Sequence, residues 1–209
     1  MASKKDPDFF QLFFEHGIDV EGRAIWCGST NEDSDGAEHG VNHAMAQKVV
    51  KGLYILERLA PQGDKPIKVI INTPGGDEYD GYAMIDAIKS CKNHVTTIAL
   101  GKAFSMGAYL LQAGDERVIA PNCTLMFHAG TGNGVDGHPE IMRRWINFEC
   151  DVLKPRLDKI LLDRIREKKP EIKDRKFHEM NDFDAIMTAE QAVEWGLADR
   201  ILEDGELFL

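Results

Sequence analysis

A serine lies at the junction between a predicted strand and a short apolar segment. Val95–Leu100 is rich in β-branched residues and is predicted to be a strand ended by Gly101, while residues 105–113 are typical of a short buried helix. Ser105 would then lie at the carboxyl end of a strand, where ligands meet α/β sheets. The first backbone N–H groups of the new helix, beginning with Met106, would face an anion formed beside the hydroxyl. This position suits a nucleophile, although helix N-capping is a commoner role for such a serine.

A histidine and two aspartates have types and positions that could activate this serine. His128 ends an apolar strand and precedes a glycine-rich loop, so it could act as a general base toward a neighbouring strand. A lone histidine is more often structural. Asp182 and Asp184 precede Thr188-Ala-Glu-Gln191, which has the spacing of a helix capping box. Either carboxylate could orient the histidine and stabilise its charged form, and spacing alone does not choose between them.

A glycine turn could supply further hydrogen-bond donors. Thr73-Pro-Gly-Gly76 follows the predicted strand Ile67–Asn72. Two glycines permit positive φ and expose amide groups, so this loop could complete an anion site, or it could be only a turn. A serine, a base, a carboxylate and exposed amides are together the groups that acyl transfer through a covalent intermediate requires.

The elements that must position these residues alternate along the chain. Apolar, strand-like runs are separated by segments of helical periodicity, and they lie at Ala24–Cys27, Ile67–Asn72, Val95–Leu100, Glu116–Ala120 and Cys123–Phe127. This order favours an α/β layered fold with parallel strands and helical crossovers. The absence of repeats and linkers from the sequence predicts a single domain over residues 1–209, with residues 1–22 as an N-terminal segment. Ile201 and Leu202 could form an edge strand.

The second half of the chain contains a long helical pattern from about residue 139 to residue 168. Pro155 should kink or split this helix, because proline lacks the amide donor and clashes with the preceding turn. The predicted apolar face consists of Ile141, Trp145, Phe148, Ile160, Leu161 and Ile165.

Composition argues against several classes of function. The chain of 209 residues carries a formal charge of −10 without a basic block, which is unlike a nucleic-acid-binding protein. No apolar run approaches the roughly 18 residues that span a bilayer, and the apolar stretch near the N-terminus lacks the features of a signal peptide. The four cysteines are widely spaced and form no C-x-x-C pair, so neither a disulfide framework nor a metal site is expected. These features predict a cytoplasmic protein.

Four segments, in the same order, resemble the proteolytic subunit of Clp protease (ClpP), and the likeness runs across most of residues 23–202. The first segment is similar to the family's strand and glycine loop, and the second to its nucleophile segment. The third is similar to the strand that carries the catalytic histidine, and the fourth to the segment that carries the third member of the triad. They are Ile70-Ile-Asn-Thr-Pro-Gly-Gly76, Gly101-Lys-Ala-Phe-Ser-Met-Gly-Ala-Tyr-Leu-Leu-Gln-Ala-Gly114, Leu125-Met-Phe-His128 and Asp184-Ala-Ile-Met-Thr-Ala-Glu-Gln-Ala-Val-Glu-Trp-Gly-Leu-Ala-Asp199. The register of the last segment selects Asp184 over Asp182.

The resemblance implies a ClpP/crotonase-like layered core of parallel strands with a projecting helical handle, supplied by residues 139–168. It implies a serine endopeptidase without a cofactor, in which Ser105 is the nucleophile, His128 the base and then the acid, and Asp184 the group that holds the imidazole. The backbone amides of Gly76 and Met106 would form the oxyanion hole. Family members stack two heptameric rings around a closed chamber and receive unfolded chains from an ATP-driven AAA+ unfoldase. We therefore expect a homo-oligomer that acts on protein or peptide substrates.

The sequence departs from the family pattern at four places. Ala129-Gly130 stands where a Gln-Pro pair is usual, and Phe183 replaces an arginine linked to ring–ring assembly. Pro155 interrupts the handle, and the N-terminal segment is unlike the axial loop that meets the unfoldase. These departures suit a specialised relative, such as a phage-encoded protease that processes capsid or scaffold proteins. The alternatives are a catalytically silent ring subunit and a crotonase-type acyl-CoA enzyme, which would have no need of a Ser-His-Asp set.

Overall fold

Eight strands form one sheet in the computed structural model, which describes residues 9–28, 40–60, 63, 65–130 and 137–208. The strands are β1 (Ile18–Asp19), β2 (Ala24–Cys27), β3 (Ile67–Thr73), β4 (Val95–Phe104), β5 (Glu116–Ile119), β6 (Thr124–Phe127), β7 (Ala185–Met187) and β8 (Arg200–Ile201). The α-helices are α1 (Phe9–His16), α2 (His43–Leu59), α3 (Glu78–Ser90), α4 (Met106–Leu111), α5 (Pro139–Phe148), α6 (Lys154–Lys168), α7 (Asp174–Asn181) and α8 (Ala189–Glu194). A π-helical segment, Glu149–Leu153, joins α5 to α6, and a 3₁₀ turn, Glu206–Phe208, follows β8.

The sheet is mostly parallel, which confirms the predicted α/β fold class. Its main strand order is β1-β2-β3-β4-β5-β8, while β6 pairs with β4 and β7. The β1–β2 and β6–β7 pairs are antiparallel, and the other pairs are parallel. The predicted edge strand at Ile201 is confirmed as part of β8, which lies at the end of this order. The single-domain division of residues 1–209 stays a prediction.

Both faces of the central strands are covered, as is usual for parallel strands. On β3, Val69 and Ile71 belong to the main core with the helices, whereas Ile70 packs on the opposite face with Ile98 and Val118. The β-branched residues of β3 therefore satisfy strand propensity and burial on two sides at once. This packing makes β3 and β4 a rigid support for the residues at their carboxyl ends.

Strand β4 is longer than the sequence predicted, because it continues through Gly101 to Phe104. Gly101 has φ +63°, a conformation that glycine adopts without a steric penalty. The register with β3 shifts here: Ile71 pairs with Ala99, but Thr73 pairs with Ala103. Gly101 thus lies in a bulge and does not end the strand. Beyond the bulge β4 leaves β5 and pairs with β6.

The long helical pattern forms two α-helices that a π-helical segment joins without a break in helical backbone, just before Pro155, where a kink or a split was predicted. The π-helical segment precedes Pro155, which occupies the first turn of α6, where its missing N–H is tolerated. Leu161 and Ile165 on α6 are fully buried, but Trp145 on α5 is 51% exposed. The predicted apolar face is therefore buried where it lies on α6, whereas on α5 its residues are not covered by the described chain.

The shorter predicted elements near the C-terminus are confirmed. Thr188 accepts a hydrogen bond from the N–H of Gln191, whose side chain accepts one from the N–H of Thr188, so the capping box at the start of α8 is complete. No helix in the described ranges is long and apolar enough to cross a membrane.

Candidate active site

Ser105 occupies a tight turn between β4 and α4. Its N–H donates to the carbonyl of Met126 at 2.8 Å, which extends the β4–β6 ladder by one bond. Its φ of +49° and ψ of −119° are unusual for a residue with a side chain. A strained serine between a strand and a helix resembles the elbow that presents other nucleophiles. The side chain makes no capping hydrogen bond to α4, so the alternative role as an N-cap is wrong.

His128 lies within hydrogen-bonding distance of this serine. Its Nε2 is 2.9 Å from Ser105 Oγ, and its side chain is about one-quarter exposed, at 25%. The contact arises because β6 pairs with the end of β4, with Phe104 opposite Met126, so that Ser105 and His128 leave the ends of neighbouring strands. Phe127 stacks on Phe177 with ring centroids 6.2 Å apart, which fixes the end of β6. With the imidazole proton on Nδ1, Nε2 can accept the serine hydroxyl proton.

Asp184 approaches the other side of the imidazole. The antiparallel register of β6 and β7 pairs Phe127 with Ala185, so the next residues along, His128 and Asp184, face each other. Asp184 Oδ1 lies 3.6 Å from His128 Nδ1, an ion-pair distance that is too long for a good hydrogen bond. The Asp184 side chain is 63% exposed. Asp182, the competing candidate, ends α7, where its N–H donates to the carbonyl of His178.

The glycine loop after β3 lies directly against Ser105. A Cβ atom built on Gly75 would be 2.5 Å from Ser105 Cβ and 2.9 Å from the nitrogen of Met106. The loop is held from its other side by Val41, whose N–H donates to the Gly75 carbonyl at 2.6 Å and whose carbonyl accepts from Asp77 at 2.8 Å. These two bonds form the bridge between Val41 and Gly76 and do not use the Gly76 N–H.

Met106 presents the second candidate amide. It is the first residue of α4, and the first N–H groups of a helix have no acceptor within that helix. The Gly76 and Met106 amides therefore lie on the two segments that meet at Ser105, as the sequence prediction requires.

Carboxylates and tyrosines lie around the same end of the sheet. Glu78 is the first residue of α3, and one of its carboxylate oxygens is 3.7 Å from a Cβ built on Gly130. Burial, followed by the nearby Glu149 and Asp77 carboxylates, raises the pKa of Glu78. Burial also raises the pKa of Tyr109, whose hydroxyl donates to the carbonyl of His128 at 3.5 Å. Burial therefore favours the neutral form of both the Glu78 and the Tyr109 side chain.

Sequence reasoning missed three residues that support the site: Val41, Tyr109 and Asn181. Tyr109 follows Ser105 by four residues, so helical spacing could have indicated that it lies beneath the serine. Val41 and Asn181 act through backbone groups on distant segments and leave no local sequence signal.

In the described ranges, no group of three or more His, Cys, Asp or Glu side chains could hold a metal ion. Residues 131–136, which include most of the predicted glycine-rich loop, lie outside the described residues.

A family model described as Clp protease matches residues 37–205 of the 209-residue chain. The chain belongs to the Clp protease family. The match includes Ser105, His128 and Asp184, and it extends from before α2 to beyond β8. Membership in the Clp protease family identifies the protein as a serine-type peptidase, and the mostly parallel α/β sheet is the fold expected of it. Members of the Clp protease family typically are oligomers and act on protein substrates.

Proposed function

We propose that the protein is a serine endopeptidase whose catalytic triad is Ser105, His128 and Asp184. The observation that carries this proposal is the 2.9 Å contact between Ser105 Oγ and His128 Nε2 in a chain of the Clp protease family. A nucleophile and a base within hydrogen-bonding reach, with the base facing a third group, are the structural signature of an activated serine.

The reaction follows from these positions. His128 removes the hydroxyl proton as Ser105 Oγ attacks the peptide carbonyl, and it then donates that proton to the leaving amine. The imidazolium formed in between is stabilised by the Asp184 carboxylate. The Gly76 and Met106 amides stabilise the tetrahedral oxyanion, a contribution of about 3–4 kcal/mol per donor in related chemistry. Water then releases the acyl group from Ser105 by the same proton transfers in reverse order.

The proposal extends to assembly and to substrate delivery. Ile141, Trp145 and Ile146 on α5 are each more than half exposed, at 52%, 51% and 53%, which supports burial against another copy of the chain. We propose a homo-oligomer that encloses the active sites in a chamber and hydrolyses unfolded or partner-delivered proteins in the cytoplasm. An enclosed chamber would protect folded proteins, because only extended chains could reach Ser105.

Fluorophosphonate labelling tests the proposed chemistry directly. The purified protein, after its oligomer has been sized, is expected to gain the mass of one probe per chain, and peptide mapping should find the adduct on Ser105. His128→Ala should remove the adduct, because the hydroxyl is then no longer activated. A well-formed oligomer that gains no adduct would contradict the proposal and favour the catalytically silent ring subunit.

Asp184→Asn is expected to lower kcat for a peptide substrate by about 10²-fold with little change in KM. The amide cannot stabilise the imidazolium, and loss of the corresponding group in other triads costs about 10⁴-fold. We expect a smaller effect because Asp184 is 63% exposed and 3.6 Å from His128, so water screens the attraction between its carboxylate and the imidazolium. Asp182→Asn is the matched control and should leave kcat unchanged. An equal loss of kcat in both variants would contradict a specific role of Asp184 in the triad.

A further inference from the structure

We propose that Asn181 is a positioning residue that holds His128 and Asp184 in register through its contact with Asp158. The inference rests on the proposed function, since it concerns the alignment of the same site. Asn181 is the last residue of α7 and is fully buried, with 0% of its surface exposed. It lies between the segment that carries His128, the segment that carries Asp184 and helix α6.

The first contact joins Asn181 to the histidine segment. Its backbone carbonyl accepts a hydrogen bond of 2.7 Å from the N–H of Ala129, the residue that follows His128. A second bond at this point, beside the pairing of β6 with β7, runs from the Tyr109 hydroxyl to the His128 carbonyl at 3.5 Å, which is long for an O–H donor. Of these two bonds, the one that the Asn181 carbonyl accepts is the stronger restraint on the chain after His128.

The second link runs along the chain from Asn181 to Asp184. Only two residues separate them, and β7 begins directly after Asp184. A displacement of Asn181 would consequently move both groups, Ala129 through a hydrogen bond and Asp184 through three peptide bonds. The 3.6 Å gap between His128 and Asp184 leaves little tolerance for such a displacement.

The side chain of Asn181 fixes the residue itself. Its Nδ2 donates to Asp158 Oδ1 at 2.8 Å, and Asp158, on α6, is only 8% exposed. Lys154 and His178 face the other Asp158 oxygen at 3.7 Å each, and Asp182 adds a nearby negative charge. Burial raises the pKa of Asp158, which agrees with a carboxylate that depends on these few donors. Without the amide, Asp158 would lose a buried donor, so this contact is costly to break.

The chain offers a matched control in Asn93. This asparagine is 1% exposed, and its Nδ2 donates to Glu57 Oε1 at 2.8 Å and to the Ala60 carbonyl at 2.9 Å. It precedes β4 and so lies at the end of the sheet opposite Ser105. Asn93→Ala thus removes an equally buried amide with a carboxylate partner, but at a distance from the chemistry.

The test compares Asn181→Ala with Asn93→Ala. Both variants should lower the midpoint of thermal unfolding by several degrees. Only Asn181→Ala should slow fluorophosphonate labelling of Ser105, by about 10-fold to 100-fold, since small misplacements of a catalytic group have effects of this size. It should also change the imidazole NMR signals of His128 at a fixed pH, because the ring loses part of its contact with Asp184. An unchanged labelling rate in Asn181→Ala would overturn the proposal.

A charge-swapped pair provides the rescue. Asn181→Asp places two carboxylates in contact and should slow labelling, whereas adding Asp158→Asn restores an amide–carboxylate hydrogen bond with donor and acceptor exchanged. Recovery of the labelling rate in the double variant supports positioning, and no recovery overturns it. If wild-type Ser105 gains no adduct, the proposed function fails. The imidazole NMR signals of His128 then still decide the role of Asn181, and unchanged signals in Asn181→Ala overturn it.

Discussion

Ser105→Ala is expected to lower kcat for peptide hydrolysis by about 10⁶-fold, the scale seen when the nucleophile of a Ser-His-Asp triad is removed. The loss should be confined to chemistry. The substitution removes one partly buried hydrogen bond, from Ser105 Oγ to His128 Nε2, so the free energy of unfolding should change by about 1 kcal/mol or less. Steady-state hydrolysis of a fluorogenic peptide and thermal unfolding would be measured on the same preparation.

Ser90→Ala is the control for this variant. Ser90 is exposed at the end of α3, where its hydroxyl donates to the Ala87 carbonyl at 2.8 Å, and its loss should leave hydrolysis unchanged. Retention of activity in Ser105→Ala would contradict the proposed mechanism. Both alternatives predict that Ser105→Ala leaves the activity of the protein unchanged: an acyl-CoA enzyme would not use this hydroxyl, and a silent ring subunit would hydrolyse no peptide with or without it.

Gly75→Ala is expected to lower kcat/KM by about 10²-fold to 10³-fold, the cost of losing an oxyanion donor, while the fold is retained. The new Cβ would be 2.5 Å from Ser105 Cβ, 2.7 Å from the Phe104 carbonyl oxygen and 2.9 Å from the Met106 nitrogen. Two of these atoms belong to the backbone, so a change of rotamer cannot relieve the clash. The loop must move away from Ser105, which takes the adjacent Gly76 amide with it. Hydrolysis rates and the rate of Ser105 labelling should fall together.

The backbone conformation itself contributes a separate cost. Gly75 has φ +93°, a region that residues with a Cβ rarely adopt, and forcing alanine into it costs about 1–3 kcal/mol of stability. Gly205→Ala isolates this term, because Gly205 has φ +81° and no atom within 4 Å of the added Cβ. We expect Gly205→Ala to lose stability but to keep full activity. A Gly75→Ala enzyme with normal activity would show that the loop does not contribute to the oxyanion site.

The sequence predicted those parts of the molecule whose signals are local. The strands around Ile67 and Val95 have clear sequence signals, and both are present. The strands β1 and β7 contain two and three residues, which is too short for any periodic signal. Gly101 was interpreted as a strand end because glycine weakens a strand interior, and only pairing with two neighbours shows that β4 continues.

The candidate site shows the same division between local and long-range information. Ser105 and His128 could be proposed from their places at strand ends, because parallel strands bring such ends together. Spacing along the chain could not choose between Asp182 and Asp184; the resemblance to the ClpP segment chose Asp184, and the pairing of β6 with β7 places that residue opposite His128. The proposed role of Asn181 combines a backbone carbonyl, a group that every residue carries, with a side-chain contact to the distant Asp158. The amphipathic pattern of α5 was detected correctly, but a pattern does not tell whether the covering surface belongs to the same chain.

The bulge at Gly101 sets the reach of the strand that ends at Ser105. Between the paired positions Ile71–Ala99 and Thr73–Ala103, β4 contains two residues more than β3. Because side chains alternate along a strand, an insertion of two residues leaves Ala99 and Ala103 on the same face, where both are fully buried. The bulge therefore acts as a spacer of even length: deleting two residues would keep the pattern of buried faces but withdraw the serine by about 7 Å, the rise of two strand residues. Deleting one residue would turn Ser105 to the opposite face of the sheet. The number of residues in the bulge is therefore tightly constrained, although Gly101 itself is exposed.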